Sequence, residues 1–199
     1  MGSNPKIIGF DAGFVNIGYM VAELPDDPAD KPIPVTLGVF SAPLPSKKQR
    51  QRKGIPVAMQ NVMRVRKQVC ALVQLLREHD PVATFIEYPH GGAKSAIAAR
   101  SMGAAMALMA ATLEVFLPNV PSVVFIPSDI KEALTGAFKA SKEQIAQKVI
   151  DFWPQITKWP GFKLSGKGEK TKRDATDAGA VLITAMTHDV YKSLFAGRR

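Results

Sequence analysis

Residues Lys6 to Leu24, KIIGFDAGFVNIGYMVAEL, constrain the fold of this chain more than any other stretch. Ile7, Ile8 and Phe10 form a short apolar run bounded by turn signals, which fits a buried strand better than a helix. The run ends on Asp11, and Gly13 permits a turn in which bulkier residues would be strained. Ile17 to Leu24 returns as a second apolar strand, so the pair reads as an antiparallel hairpin. A carboxylate therefore stands where a core strand reaches solvent. It is either a turn-former or a site residue, and this stretch alone leaves both readings open.

The rest of the chain is read as elements around that hairpin. Pro25 to Pro34 holds four prolines and three aspartates, a mixture that neither propagates a helix nor fills a sheet interior. Val35 to Phe40 is expected to be a third strand on the far side of the hairpin. From Ile55 to Glu78, Met59, Val62, Met63, Val69, Cys70, Val73 and Leu76 recur at helical spacing and read as a core stripe, with Arg64, Arg66, Lys67, Arg77 and Glu78 on other faces. Cys70, the one cysteine, has no disulfide partner and no zinc-like companions, so it reads as a small core residue. Val82 to Glu87 is a further strand ending on an acid, broken by Tyr88, Pro89, His90 and a Gly-Gly pair. A lone loop histidine such as His90 is more often neither base nor ligand.

Ala96 to Phe116 reads as an Ala-, Met- and Leu-rich helix packed on the sheet, with Gly103 allowing close approach of another backbone and a subunit contact as the second use. Ser122 to Ile126 reads as a buried strand, and Pro127 to about Gly136 as a short helix. Ser141 and Gln144 form a capping box that opens a helix to about Phe152, with Lys139 and Lys142 flanking its start. Asp174 to about Leu194 completes the chain as a helix whose Asp177 lies one turn from Asp174, on the same face. The helix dipole alone favours acids in a first turn. It explains less well why Ala175, Ala178, Gly179 and Ala180 crowd small residues around both. Three strands, helix, strand, helix, strand and helices give an α/β mixed sheet flanked by helices.

Composition bears on partners. At 199 residues and 46% hydrophobic content the chain can bury one core, and it is read as one domain over 1–199. A net charge of +9 favours a polyanionic partner, because a basic face gains affinity by releasing phosphate counterions. Ser46 to Lys53 places Lys47, Lys48, Arg50, Arg52 and Lys53 in one run, either a solvated segment or a phosphate contact. Lys158 to Arg173 adds a glycine-punctuated basic loop with Lys163, Lys167, Lys170, Lys172 and Arg173. No stretch approaches about 18 uninterrupted apolar residues and no apolar signal region opens the chain, so a soluble, cytoplasmic protein is expected.

Asp11, Glu87, Asp174 and Asp177 would repel one another if grouped without a cation. Hard oxygen donors suit Mg2+ or Mn2+ rather than zinc. Two such ions, about 3.5–4 Å apart, stabilise the attacking and leaving oxygens of an in-line phosphodiester displacement. Anionic ligands at the centre and cations around the rim are what a metal-dependent nuclease requires.

Asp11-Ala12-Gly13 with Gly18-Tyr19, Ile86-Glu87, the run from Asp129-Ile130-Lys131 through Thr135-Gly136 to Ser141-Lys142-Glu143-Gln144, and Asp174 to Ala178 together resemble the RuvC family of Holliday junction resolvases. The similarity spans most of the chain in the right order. It implies an RNase H-like fold, a homodimer, and Mg2+-dependent paired nicking of four-way DNA junctions. By the same likeness Asp11, Glu87, Asp174 and Asp177 are the expected catalytic metal ligands. Lys131 and Lys142 match basic residues near the scissile phosphate, and Lys139, Tyr88, His90 and the two basic segments are candidate DNA contacts. Three features depart from the family: Ala12 replaces its usual proline, His90 occupies the place of its aromatic wedge with Tyr88 as a substitute, and the 158–173 loop is an insertion. A divergent, bacteriophage-encoded member would account for them. The competing readings are an RNase H-like nuclease acting on flaps or RNA/DNA hybrids, an actin-like ATPase, which needs a second lobe and further phosphate loops, and a DNA-binding module without catalysis.

Overall fold

β1 (Lys6–Ala12), β2 (Asn16–Glu23) and β3 (Ile33–Ser41) form an antiparallel meander, the hairpin and third strand expected from the sequence. The computed structural model describes residues 4–42, 54, 56–89, 95–158 and 174–196. β4 (Ala83–Glu87) runs parallel to β1, and β5 (Ser122–Phe125) parallel to β4, giving one mixed sheet in the order β3-β2-β1-β4-β5. Parallel neighbours need long crossovers. Here α1 (Val57–His79) precedes β4 and α2 (Ala96–Phe116) links β4 to β5. The chain continues through α3 (Pro127–Thr135), α4 (Lys142–Phe152), α5 (Asp174–Ala185) and α6 (Asp189–Ser193).

Alternation along the strands divides the core into two layers. Ile8, Phe10, Val21 and Ile86 pack against Leu72, Leu75 and Leu76 of α1 and Leu108, Met109 and Leu113 of α2. Ile7, Met20, Ala22 and Phe85 face the other way, onto Ala178, Val181 and Leu182 of α5 and Ile145 and Val149 of α4. The proline-rich loop is tied to this second layer by the buried Trp153, whose Nε1 donates to the Pro32 carbonyl at 2.9 Å.

Several elements differ from their sequence reading. The core stripe of α1 is rotated: Met59, Val62 and Met63 are about half exposed and Cys70 is exposed, whereas Gln60, Arg64 and Gln68 are buried in line with Leu72, Leu75 and Leu76. The reason is hydrogen bonding. Carbonyls beyond the strand ends need donors, and Arg64 Nε donates to Ala42 O at 2.7 Å while Gln68 Nε2 donates to Phe14 O at 3.1 Å. β5 is an edge strand, with Phe125 buried and Val124 exposed.

α2 keeps its expected bounds and packs through Ala105, Leu108, Met109, Thr112 and Leu113. A Cβ at Gly103 would meet open space, so no backbone among the described residues approaches there. By length and mean hydropathy α2 could also cross a bilayer, although its apolar residues do not form one uninterrupted run. The helix expected over 174–194 stops at Ala185. Met186, Thr187 and His188 donate to carbonyls three residues back, tightening the last turn, and His188 Nδ1 then caps α6 by accepting from Val190 N. The break turns Tyr191 into the core.

Candidate active site

Strand register brings the first two acids together. Asp11 pairs with Glu87 across the parallel β1–β4 ladder and with Gly18 across the β1–β2 hairpin. Both acids follow the alternation of Ile7 and Phe85, so they lie on the α5 side of the sheet. α5 comes unusually close. A Cβ at Gly9 would sit 2.6 Å from Ala178 O and 2.7 Å from Leu182 Cγ, and one at Gly18 would collide with the Asp174 backbone. The crowding of small residues noted in the sequence is therefore a packing device. Ala175, Ala178, Gly179 and Ala180 are buried, and they let the helix start lie directly over the carboxylate ends of β1 and β4.

The grouping is visible in the electrostatics. Burial, then Glu87, Asp177 and Asp174 in that order, hold Asp11 well above the usual carboxylate range, with Lys142 pulling the other way. Burial and then Asp177 push Glu87 up to about 7, opposed by Lys142 and Lys131. Lys142, the first residue of α4, lies 3.6 Å from Asp177 Oδ2. Asp177 raises the pKa of this lysine, and Asp11 and Glu87 add to the effect while burial opposes it. The Ser141–Gln144 capping box fixes the start of α4, and hence the root of this lysine, through bonds of 2.8 and 3.2 Å.

Asp11, Glu87, Asp177, Lys131 and Lys142 line one cleft of about 410 Å³, and Phe14 stands at its edge. Asp174 adds to the potential at Asp11 without lining that cleft. Among the described residues, no three acidic, His or Cys side chains are drawn into a ready-made ion-binding group. The donor chemistry nevertheless fits a hard divalent cation, since all the candidate ligands are carboxylates and the two strand-end acids resist ionising together.

The other candidates are dispersed. Lys139 is exposed in the turn before α4, outside the cleft lining. Tyr88 packs against the α1–α2 core layer, and its Oη donates to Met106 O at 3.4 Å, so it is not held out as a wedge. Lys47, Lys48, Arg50, Arg52, Lys53, His90, Lys163, Lys167, Lys170, Lys172 and Arg173 lie outside the described residues. Phe14, which lines the cleft, and Arg64 and Gln68, which contact Phe14, were not among the candidate site residues of the sequence. The available signal was the spacing Gln60, Arg64, Gln68, one polar line down a helix, which without coordinates is read as the solvent face.

This mixed five-stranded sheet flanked by helices is similar in fold to solved resolvases, and it is the RNase H-like fold that the family resemblance implied. Thermus thermophilus RuvC superposes with a TM-score of 0.62 at 20% identity, covering 96% of each chain. T. thermophilus RuvC in complex with Holliday junction substrate superposes at 0.61 and 20% identity, over 98% of each chain. The yeast mitochondrial Holliday junction resolvase Ydc2 gives 0.58 at 13% identity, covering 98% of this chain and 82% of its own. No family model and no curated protein matches the chain. The described residues form one sheet, without the second lobe an actin-like reading needs.

Proposed function

We propose that this chain is a metal-dependent, structure-selective endonuclease that resolves four-way DNA junctions by paired nicking. The observation that carries the proposal is the register Asp11–Glu87 with Asp177 of α5 reaching both electrostatically, in a basic protein whose fold is similar to RuvC bound to a Holliday junction. In this reading Asp11, Glu87, Asp174 and Asp177 hold Mg2+, with Mn2+ as a substitute and two ions as the expected number. Such ions supply an activated water and stabilise charge on the attacking and leaving oxygens.

The chain's own residues do the rest. The buried strand ends exclude bulk water and strengthen every charge interaction in the cleft. Lys131 and Lys142 attract the scissile phosphodiester and offset the charge that develops on it. Burial and mutual repulsion raise the proton affinity of Asp11 and Glu87, so a cation held by these carboxylates would compete with protons for them. Paired nicking needs two sites, which a homodimer would supply.

The test is cleavage of a synthetic four-way junction beside a flap, a linear duplex and an RNA/DNA hybrid, with Mg2+ and with chelator. Symmetrical nicks in the junction alone, lost with chelator, are expected. Asp174→Asn should abolish cutting while junction binding persists, because the basic surface remains. Normal cutting by that variant would remove Asp174 from the site. Cutting of flaps or hybrids in place of the junction would refute the resolvase assignment.

A further inference from the structure

A second groove opens beside the carboxylate cleft, between the N-terminal halves of α1 and α2. It has a volume of about 630 Å³, and Phe14 and Ser101 line both it and the cleft. Arg64, Arg66 and Arg100 line the groove, and no acid does so among the described residues. Arg64 is only 7% exposed: its Nε is fixed to Ala42 O, and its guanidinium lies 4.9 Å from the centre of the Phe14 ring. Gln68 holds the Phe14 carbonyl from below at 3.1 Å. Two buried polar side chains of α1 thus fix the position of one part-exposed aromatic ring at the junction of two cavities.

We infer that this groove takes the DNA strand as it leaves the carboxylate cleft, with Phe14 as a base-stacking platform and Arg66 and Arg100 as phosphate contacts. The inference rests on the nuclease reading above and extends it to a surface that none of the motifs singled out. Three arginines without an acid complement a polyphosphate, and an aromatic ring backed by a guanidinium suits an unpaired base. The shared walls make the path continuous with the site of cleavage. A second copy seated here would bring the same three arginines from both sides without a counter-charge. Arg64 and Gln68 act through Phe14 and are positioning residues.

The experiment measures junction binding across a salt series for the full chain, Arg66→Gln/Arg100→Gln, Phe14→Ala and Phe14→Leu, with the oligomeric state of each followed by sedimentation. The arginine pair should lower the slope of log K against log salt by about 1.8, about 0.9 for each phosphate no longer neutralised. Both Phe14 variants should weaken binding by roughly tenfold at an unchanged slope, the leucine retaining apolar bulk without the stacking face. A full slope in the arginine variant, with binding intact, overturns the groove assignment alone. A changed oligomeric state at an unchanged slope overturns it in favour of a second copy. Absence of salt-dependent junction binding in the unaltered chain overturns the nuclease reading and the groove with it.

Discussion

Glu87→Gln should make the metal-free protein more stable at alkaline pH while removing its cleavage activity. An unperturbed glutamate titrates near 4.5, and burial followed by Asp177 lifts Glu87 to about 7. Below pH 4.5 both the folded and unfolded states hold the proton, and no penalty exists. Between there and about pH 7 the unfolded chain releases it first, so folding stability is lost as pH rises, and above pH 7 the loss is constant. A shift from 4.5 to about 7 is worth about 3 kcal/mol. That figure is an upper bound, because Glu87 keeps some contact with water. The glutamine variant has no such titration. Urea unfolding in chelator should therefore favour it by about 1–3 kcal/mol at pH 8, and the difference should vanish at pH 4.5. Mg2+ should restore stability to the parent chain and much less to the variant. An equal gain at both pH values would mean that the charge of Glu87 is not the cause, and no gain at pH 8 would refute the destabilised-acid account.

Gly18→Ala forces the first turn of α5 off the sheet, because the obstruction is the Asp174 backbone, whose Cα alone is 3.1 Å away. It should cost about 1–3 kcal/mol in urea unfolding and lower Mg2+-dependent cleavage more than junction binding; unchanged stability and cleavage would show that the helix can retreat freely. Gly103→Ala is the contrast. With nothing within 4 Å and helical backbone around it, the methyl should stabilise α2 by up to about 1 kcal/mol in the same assay, and a loss would reveal a contact at that face.

The sequence was most informative where a local rule and the global fold agree. The β1–β2 hairpin, the Ser141–Gln144 cap and the strand ending on Glu87 each follow from near neighbours, and all were found as read. It was least informative where a polar side chain answers a distant backbone need. Arg64 and Gln68 are buried because Ala42 and Phe14 present carbonyls past their strand ends, and no pattern within α1 announces those partners. The same limit explains Tyr88, whose hydroxyl finds Met106 of α2 rather than solvent. The site acids were legible as strand-end and first-turn carboxylates. Their grouping was implied only by the family resemblance and by no local pattern, because it depends on β1–β4 register and on how closely α5 approaches.

That approach also explains why the acids stay together. Like charges relieve repulsion by moving apart, and each route is restricted. Asp11 and Glu87 belong to adjacent paired strands, so their separation would require breaking ladder hydrogen bonds as well as exposing Phe10, Phe85 and Ile86. Asp177 is carried on a helix whose Ala175, Ala178, Val181, Leu182 and Ala185 are buried against the sheet, and withdrawing it would expose that face. Burial of this much apolar surface, at about 25 cal/mol per Å², exceeds the few kcal/mol of carboxylate repulsion. Strain is left to be relieved by protons on Asp11 and Glu87, by the Lys142–Asp177 pair, or by a cation. The hydrophobic layers thus preorganise an anionic cleft before any ligand arrives, and the repulsion they contain becomes affinity for the positive charge that relieves it.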